Sequence, residues 1–528
     1  MTKLYSGLLA LILFFGFLFR VISIDSYPPS LNWDEVSHGY NAYSILTTGK
    51  DQWGIRLPLI FRVFGDYKLP VYIYLTVPIV SIFGLNPLSV RLVSILAGSI
   101  LPFIIYLIIK KLFPKKSILS LIAASIISLS PGFIFLSRIA LEANLFLTLF
   151  CLSFYFLLCH KFGLSTFIYG LCLLTYNSSR VILPFYLFLV TTLCFKNKFK
   201  PNKNWLKFIP LLFFLFITIY QTLNYSGQAR YQWVSILDSG SLNRINELRQ
   251  LYPRIIINKA TYFTFTAIKN YLSHFDPRFL FISGGSNYQF SLPQFFIISI
   301  LFLPFFILGL FNLFKNLQND HFKILLFWLL ISPIPSSITR DAPHVLRSIV
   351  FLPIMVIVII LGFNHLANKY RHISLIYSFL ALILGQFLFW PKYKAYAVNY
   401  SSSWQFGYQE TVNYIKENYH RYDQIIFTKK YGEPHEFILF YWPWLPSKYQ
   451  SNQNLKWDFH SNWYWVNSFD KFIFVNDWEI KEITQNLPTN KKILLITSPG
   501  NYNQNNHLIK TINFLDNTPA FQILEINP

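Results

Sequence analysis

Six short segments carry ionisable side chains that are candidates for proton transfer or anion binding. The first is Asn32-Trp33-Asp34-Glu35-Val36-Ser37-His38-Gly39-Tyr40-Asn41-Ala42-Tyr43, in which two adjacent carboxylates precede Val36, Tyr40 and Tyr43 at helical spacing. That periodicity predicts a helix lying along a membrane surface and opening on the carboxylates. A carboxylate so placed can take a proton from a nucleophile as a general base. It can equally be an N-cap that only satisfies the first amide groups of the helix. Asp34 and His38, four residues apart, could begin a metal site, but no clear further ligands accompany them.

The second segment, Gly65-Asp66-Tyr67-Lys68-Leu69-Pro70-Val71-Tyr72, sets a lone lysine beside a prolyl turn. Lys68 there can snorkel to lipid headgroups or hold a lipid phosphate. Arg91, in Ser89-Val90-Arg91-Leu92-Val93-Ser94, is either an interfacial anchor or an anion ligand. Arg138 and Glu142 share the turn Ser137-Arg138-Ile139-Ala140-Leu141-Glu142-Ala143. Glu142 favours the positive start of a helix, yet an ionisable residue entering a membrane helix is by default a functional candidate. Arg180 ends Tyr176-Asn177-Ser178-Ser179-Arg180, and His344 and Arg347 lie in the segment 339–347, each with a solvated loop or a helix cap as its plain alternative.

Something must hold these residues in place, and the composition says what. The chain has 528 residues, of which 53% are hydrophobic, 19% aromatic and only 13% charged. Disorder, a coiled coil and an ordinary soluble enzyme are excluded. Uncharged stretches of bilayer length predict membrane helices near residues 4–22, 87–109, 117–137, 140–160, 162–178, 180–195, 206–222, 292–314, 322–339, 346–367 and 373–390. That makes a polytopic α-helical membrane protein with about eleven transmembrane helices. The stretch 69–84 is short and carries Pro70 and Pro78. Leaving it as a re-entrant or surface helix puts Lys110, Lys111, Lys115, Lys116, Lys161, the basic run 196–207, Lys315, Lys323, Lys369 and Arg371 on one side, the cytoplasmic one. The N-terminus is then inside and the C-terminus outside. Outer cations before residue 391 are mostly arginine, the residue suited to forked contacts with phosphate or carboxylate.

The net charge of +22 is not a nucleic-acid signature, because residues 391–528 contribute almost none of it, holding 13 Lys+Arg and 12 Asp+Glu. The remainder reads as membrane topology. Two domains are expected. Residues 1–390 form the membrane domain, with an outer catalytic loop at 23–86 and an outer loop at 223–291 that is helical over 243–251. Residues 391–528 form a small α/β domain outside, with a helix over 404–419 and short apolar runs at 423–428, 437–441, 471–475, 491–497 and 521–526. The four cysteines all lie in apolar segments, so no disulfide framework is available to the tail.

Together the Asp-Glu pair of the first outer loop, the Lys-x-Pro-x-Tyr segment, Arg91 in its Arg-Leu-x-Ser setting and the Arg-x-x-x-acid turn resemble the GT-C superfamily of polytopic glycosyltransferases. The resemblance is to the branch containing protein O-mannosyltransferases and lipid A aminoarabinose transferases. It implies a GT-C-like fold, a polyprenyl-phosphate-linked sugar as donor, and Asp34 as the catalytic residue beside Glu35. Lys68, Arg91, Arg138, Arg180, His344 and Arg347 are then the expected ligands of the donor phosphate. Glu142 is an acidic partner or a metal ligand; several relatives have Asp there, and they often have two prolines after the lysine. A divalent metal is possible and none is specified.

The chemistry of the residues agrees with that resemblance: a sugar on a lipid phosphate has a good leaving group, so a base for the acceptor hydroxyl and cations for the departing phosphate suffice. The expected function is transfer of a sugar, with inversion, to a hydroxyl of a lipid, glycan or protein acceptor on the outer face of a bacterial cytoplasmic membrane. A polymerase or ligase of polysaccharide chains is the nearer rival. A transporter is the rival from another class, but transporters place ionisable groups near the midplane, often in repeated halves, whereas here the charges gather at one face.

Overall fold

A computed structural model describes residues 2–65, 67–196, 205–223, 234–366, 371–485, 491–502 and 508–526. Asp66, most of the basic run 196–207 and Lys369 lie outside the described residues. The chain divides into two compact units, one of Met1–Ile22 with Ser94–Trp390 and one of Ser23–Val93 with Pro391–Pro528.

The first unit is helical. It contains α1 (Thr2–Val21) and most of α4 (Pro87–Leu112), whose first residues belong to the second unit. The next helices are α5 (Ser117–Leu129), α6 (Pro131–Ser137), α7 (Glu142–Leu158), α8 (Phe162–Leu173), α9 (Ser178–Lys196) and α10 (Ile209–Gln221). Further helices include Ser239–Leu251, Lys259–Ser273, Leu303–Lys315, Asp320–Ile331 and Phe351–Leu366, and Arg371–Asn399 runs from this unit into the other. By length and composition, three helices among the described residues could cross a membrane, or four if a bent pair counts as one span. The remaining apolar helices fall in the regions the hydropathy marks but are shorter, 10–17 residues. At 1.5 Å per residue most are below the thickness of a hydrocarbon core, so helix length does not yield the count of eleven.

The stretch 117–137 is two helices bent by 54°, where a single span is expected. Pro131 has no amide proton and crowds the preceding turn, so the ladder stops at Ser130. The freed carbonyls find other donors: Arg20 reaches those of Ser128 (2.8 Å) and Ile127 (3.3 Å), and the Gln386 amide reaches that of Leu129 (2.5 Å). Arg20 is thus fully buried on neutral oxygens as a cap for a broken helix. Elsewhere Gly309 and Gly362 let two helices touch backbone to backbone. A Cβ on Gly309 would sit 1.8 Å from the Val358 carbonyl oxygen, so any larger residue forces the pair apart.

The second unit combines α2 (Trp33–Thr48), the two-stranded ribbon β1 (Phe61–Arg62) and β2 (Tyr67–Lys68), and α3 (Pro70–Phe83) with a seven-stranded sheet. The sheet comprises β3 (Gln424–Thr428), β4 (Lys456–His460), β5 (Trp463–Phe469), β6 (Phe472–Val475), β7 (Ile493–Thr497), β8 (Leu508–Asn513) and β9 (Pro519–Ile526), in the order β4-β5-β6-β3-β7-β9-β8. β3 runs parallel to both β6 and β7, and the remaining pairs are antiparallel. Ile426, Val475, Ile480, Ile493, Leu495, Leu524 and Ile526 form a core on one face. The apolar run 437–441 is part of a helix, Pro434–Tyr441, not a strand, because Pro434 opens a helical turn and Tyr408 stacks on Phe437 at 4.0 Å.

Residues 23–86 are expected as a loop of the membrane domain, but they pack with residues 391–528. Ala42, Ile45, Phe61, Ile73 and Val80 form one buried cluster of α2, β1 and α3. On another side, Gly39 lies so close to Phe440 that a Cβ would be 2.5 Å from its ring. Gln52 donates to Glu436 (2.8 Å), and Gln450 donates to the Asp51 carbonyl (2.8 Å). Buried polar contacts of this kind are specific, and no hydropathy pattern announces them.

Candidate functional site

Helix α2 is capped by Asn32, not by Asp34. The Asn32 side chain accepts from the Glu35 amide (3.0 Å), and Glu35 accepts in return from the Asn32 amide (3.2 Å). This capping box leaves Asp34 free of backbone duty. Its carboxylate points instead to Lys68, with Nζ 2.7 Å from Oδ1, and stays 37% exposed while the lysine is 12% exposed. Lys68 is held in turn by the ribbon, where it pairs with Phe61 across β1 and β2.

Glu35 has a different fate. Arg91 donates to both its oxygens, Nε to Oε1 at 2.9 Å and Nη2 to Oε2 at 3.0 Å, and both side chains are 1% exposed. The other Arg91 protons go to the carbonyls of Ile24 (2.7 Å), Ser30 (2.6 Å) and Pro28 (3.5 Å). All five guanidinium donors are therefore engaged inside the unit, and none is left to hold a phosphate. Glu35, expected as catalytic beside Asp34, and Arg91, expected as a ligand of the donor phosphate, form a buried clamp that ties residues 24–30 to the start of α2. His38 does not extend toward a ligand set with Asp34 either. Its Nδ1 lies 2.6 Å from the Asp34 carbonyl oxygen and its ring meets Tyr72 edge-on. Among the described residues no three His, Cys, Asp or Glu side chains gather as metal ligands.

The remaining candidates belong to the helical unit. Arg138 is buried at the end of α6, donates to the Phe19 carbonyl (2.9 Å) and lies 5.4 Å from the Trp390 ring. Glu142 opens α7, where it favours the positive end of the helix. Arg180, in the first turn of α9, donates to Gln221 Oε1 (2.5 Å). His344 is buried against Phe290, and its Nδ1 receives the Arg347 amide at 3.4 Å. Arg347 itself reaches Thr339 Oγ1 (3.0 Å) and the Arg340 carbonyl (2.6 Å).

Among other residues of the second unit, Arg62 is one of the outer arginines that the sequence marks, whereas Gln405 and His435 carry no such signal. Trp33 donates its amide to Gln405 (3.1 Å), which fixes the residue before Asp34. Arg62 lies among three rings, its Cζ 4.0 Å from Trp53, 4.4 Å from Trp457 and 4.6 Å from Tyr464. Burial lowers its basicity, with nearby Tyr464, Tyr67 and Asp51 acting the other way. His435 sits between Glu433 (3.4 Å) and Glu436 (3.5 Å), all three buried. These are ion-pair contacts at the long edge of hydrogen bonding. Burial alone would push the imidazole down; the flanking carboxylates outweigh it and raise it to about 9.

The sequence profile of the dolichyl-phosphate-mannose-protein mannosyltransferase family matches residues 68–220, a stretch that begins at Lys68. No curated protein matches the chain by sequence. ArnT from Cupriavidus metallidurans bound to undecaprenyl phosphate matches by structure, with 10% identity, 98% of each chain covered and a TM-score of 0.50. The oligosaccharyltransferase AglB from Archaeoglobus fulgidus, in complex with an inhibitory peptide and a dolichol-phosphate, aligns with 12% identity over 79% of this chain at a TM-score of 0.45. The chain spans 58% of that protein's length. The resemblance seen in the residues stands: over residues 68–220 the profile is a mannosyltransferase one, and the fold is shared with ArnT over 98% of the chain.

Proposed function

We propose that the protein is an integral membrane glycosyltransferase that moves a sugar from a polyprenyl phosphate to an acceptor hydroxyl on the outer face of a cytoplasmic membrane. The observation that carries this reading is the Asp34–Lys68 pair, a half-open carboxylate relieved of capping and set 2.7 Å from an ammonium. It stands in a chain that shares its fold with a protein bound to undecaprenyl phosphate. Asp34 takes the proton of the acceptor hydroxyl, whose oxygen attacks the anomeric carbon. The carbon–oxygen bond to the lipid phosphate breaks, and the phosphate leaves with the electron pair. Direct displacement inverts the anomeric centre. Lys68 neutralises charge beside the base and meets the phosphate as it departs.

The test is to incubate the purified protein with a panel of polyprenyl-phosphate sugars and lipid, glycan and peptide acceptors, and to follow release of free lipid phosphate. Release with at least one donor and none from nucleotide sugars is expected. Transfer from a nucleotide sugar without a lipid intermediate sinks the donor assignment.

A further inference from the structure

Trp463 opens strand β5, 397 residues being the separation between its neighbour Tyr464 and Tyr67. Its indole stacks on the Phe64 ring at 5.2 Å and 23°, and meets the Trp33 ring edge-on at 6.0 Å. Trp33 directly precedes Asp34, and Phe64 and Gly65 lead into Lys68. One ring is therefore wedged between the approach to the carboxylate and the approach to the amine.

Several contacts fix that ring. Its Nε1 donates to Glu433 Oε1. The next residue, Tyr464, donates its amide to the Phe64 carbonyl (2.6 Å), and its hydroxyl lies 3.4 Å from that of Tyr67. Gly65 admits the indole only because it lacks a side chain, since a Cβ would be 2.3 Å from Trp463 Cε3. Trp33 is gripped on its other side in the same way: a Cβ on Gly432 would be 2.3 Å from Trp33 Cε3.

We propose that Trp463 is a positioning residue of the Asp34–Lys68 pair, a plate from the C-terminal sheet that sets the separation of base and ammonium. The assignment of a reaction to that pair rests on the proposed function; the positioning itself does not. Interiors are close-packed, so removing the indole lets Trp33 or Phe64 move into the space, and an ion pair at 2.7 Å does not survive a shift of that kind.

The experiment compares the wild-type protein with Trp463→Ala, Trp463→Phe and Gly65→Ala, all full length. Acylation of Lys68 by a water-soluble ester is followed by mass spectrometry, with Lys510 on strand β8 as the internal reference. Lys68 should react about tenfold faster in Trp463→Ala and to an intermediate degree in Trp463→Phe, with Lys510 unchanged. In the transfer assay kcat should fall about tenfold to a hundredfold, the scale of small misplacements of reacting groups, with the donor KM held within about twofold. Lys68 acylation at the wild-type rate in Trp463→Ala overturns the proposal, and so does an equal rise at Lys510, which marks general loosening. If Trp463→Ala does not fold, the phenylalanine and Gly65 variants carry the same comparison. A wild-type protein inert toward every lipid-linked sugar defeats the functional reading and leaves the acylation result to decide this one.

Discussion

Asp34 and Glu35 are neighbours in one helical turn, and each meets a cation, yet the two pairs sit in opposite surroundings. Asp34–Lys68 is at the half-open rim, joined by one contact. Glu35–Arg91 is sealed, doubly bonded and backed by carbonyls. A pair that water can reach is able to exchange its proton and its partner. A pair with every donor used can only hold the backbone in place. Adjacent identical charges thus divide into an open group and a sealed one, and the division is made by burial.

Four measurements test these assignments. Asp34→Asn should lower turnover by about two to four orders of magnitude, the usual worth of a positioned base, with the melting temperature unchanged. Near-normal turnover in a folded variant removes the open pair from the chemistry. Arg91→Leu should destabilise the second unit by about 3–5 kcal/mol because it strands a buried carboxylate, and adding Glu35→Leu should restore part of that loss. Thermal denaturation of both variants checks this; a lowered donor affinity at unchanged stability would make Arg91 a ligand after all. Lys68→Ala should weaken binding of the lipid-linked sugar by about 1.5–3 kcal/mol, read from a donor titration.

The smallest effect concerns His435. Its folded pKa, about 9, lies above the ordinary 6.5, so its contribution to stability is complete below 6.5 and is lost as pH rises through 9. His435→Gln should flatten the fall in melting temperature between those values, and an unchanged slope would show that the imidazole is neutral in the fold.

The carboxylates, Lys68 and the arginines were legible because ionisable groups at the ends of apolar segments violate the local pattern. The helical regions were legible for the same reason, through hydropathy. What escaped the sequence depends on packing over long separations. Nothing in the order of residues says that Gln52 meets Glu436, that Trp33 rests on Gly432, or that strand β4, with every residue exposed, joins the sheet. The type of Arg91 suggests an anion ligand, and type does not reveal that Ile24, Pro28 and Ser30 claim its donors. The break at Ser130 was foreshadowed by Pro131, but Arg20, more than 100 residues away in sequence, supplies the compensation.

The second unit is made of residues 23–93 and 391–528. Synthesis therefore delivers the acid and the amine early and the ring that spaces them late. At about 5–20 residues per second, Trp463 leaves the ribosome roughly 20–80 s after Tyr67. Through that interval the nascent chain carries both charges without the geometry that couples them. On the proposed function, activity certifies that translation has passed residue 463.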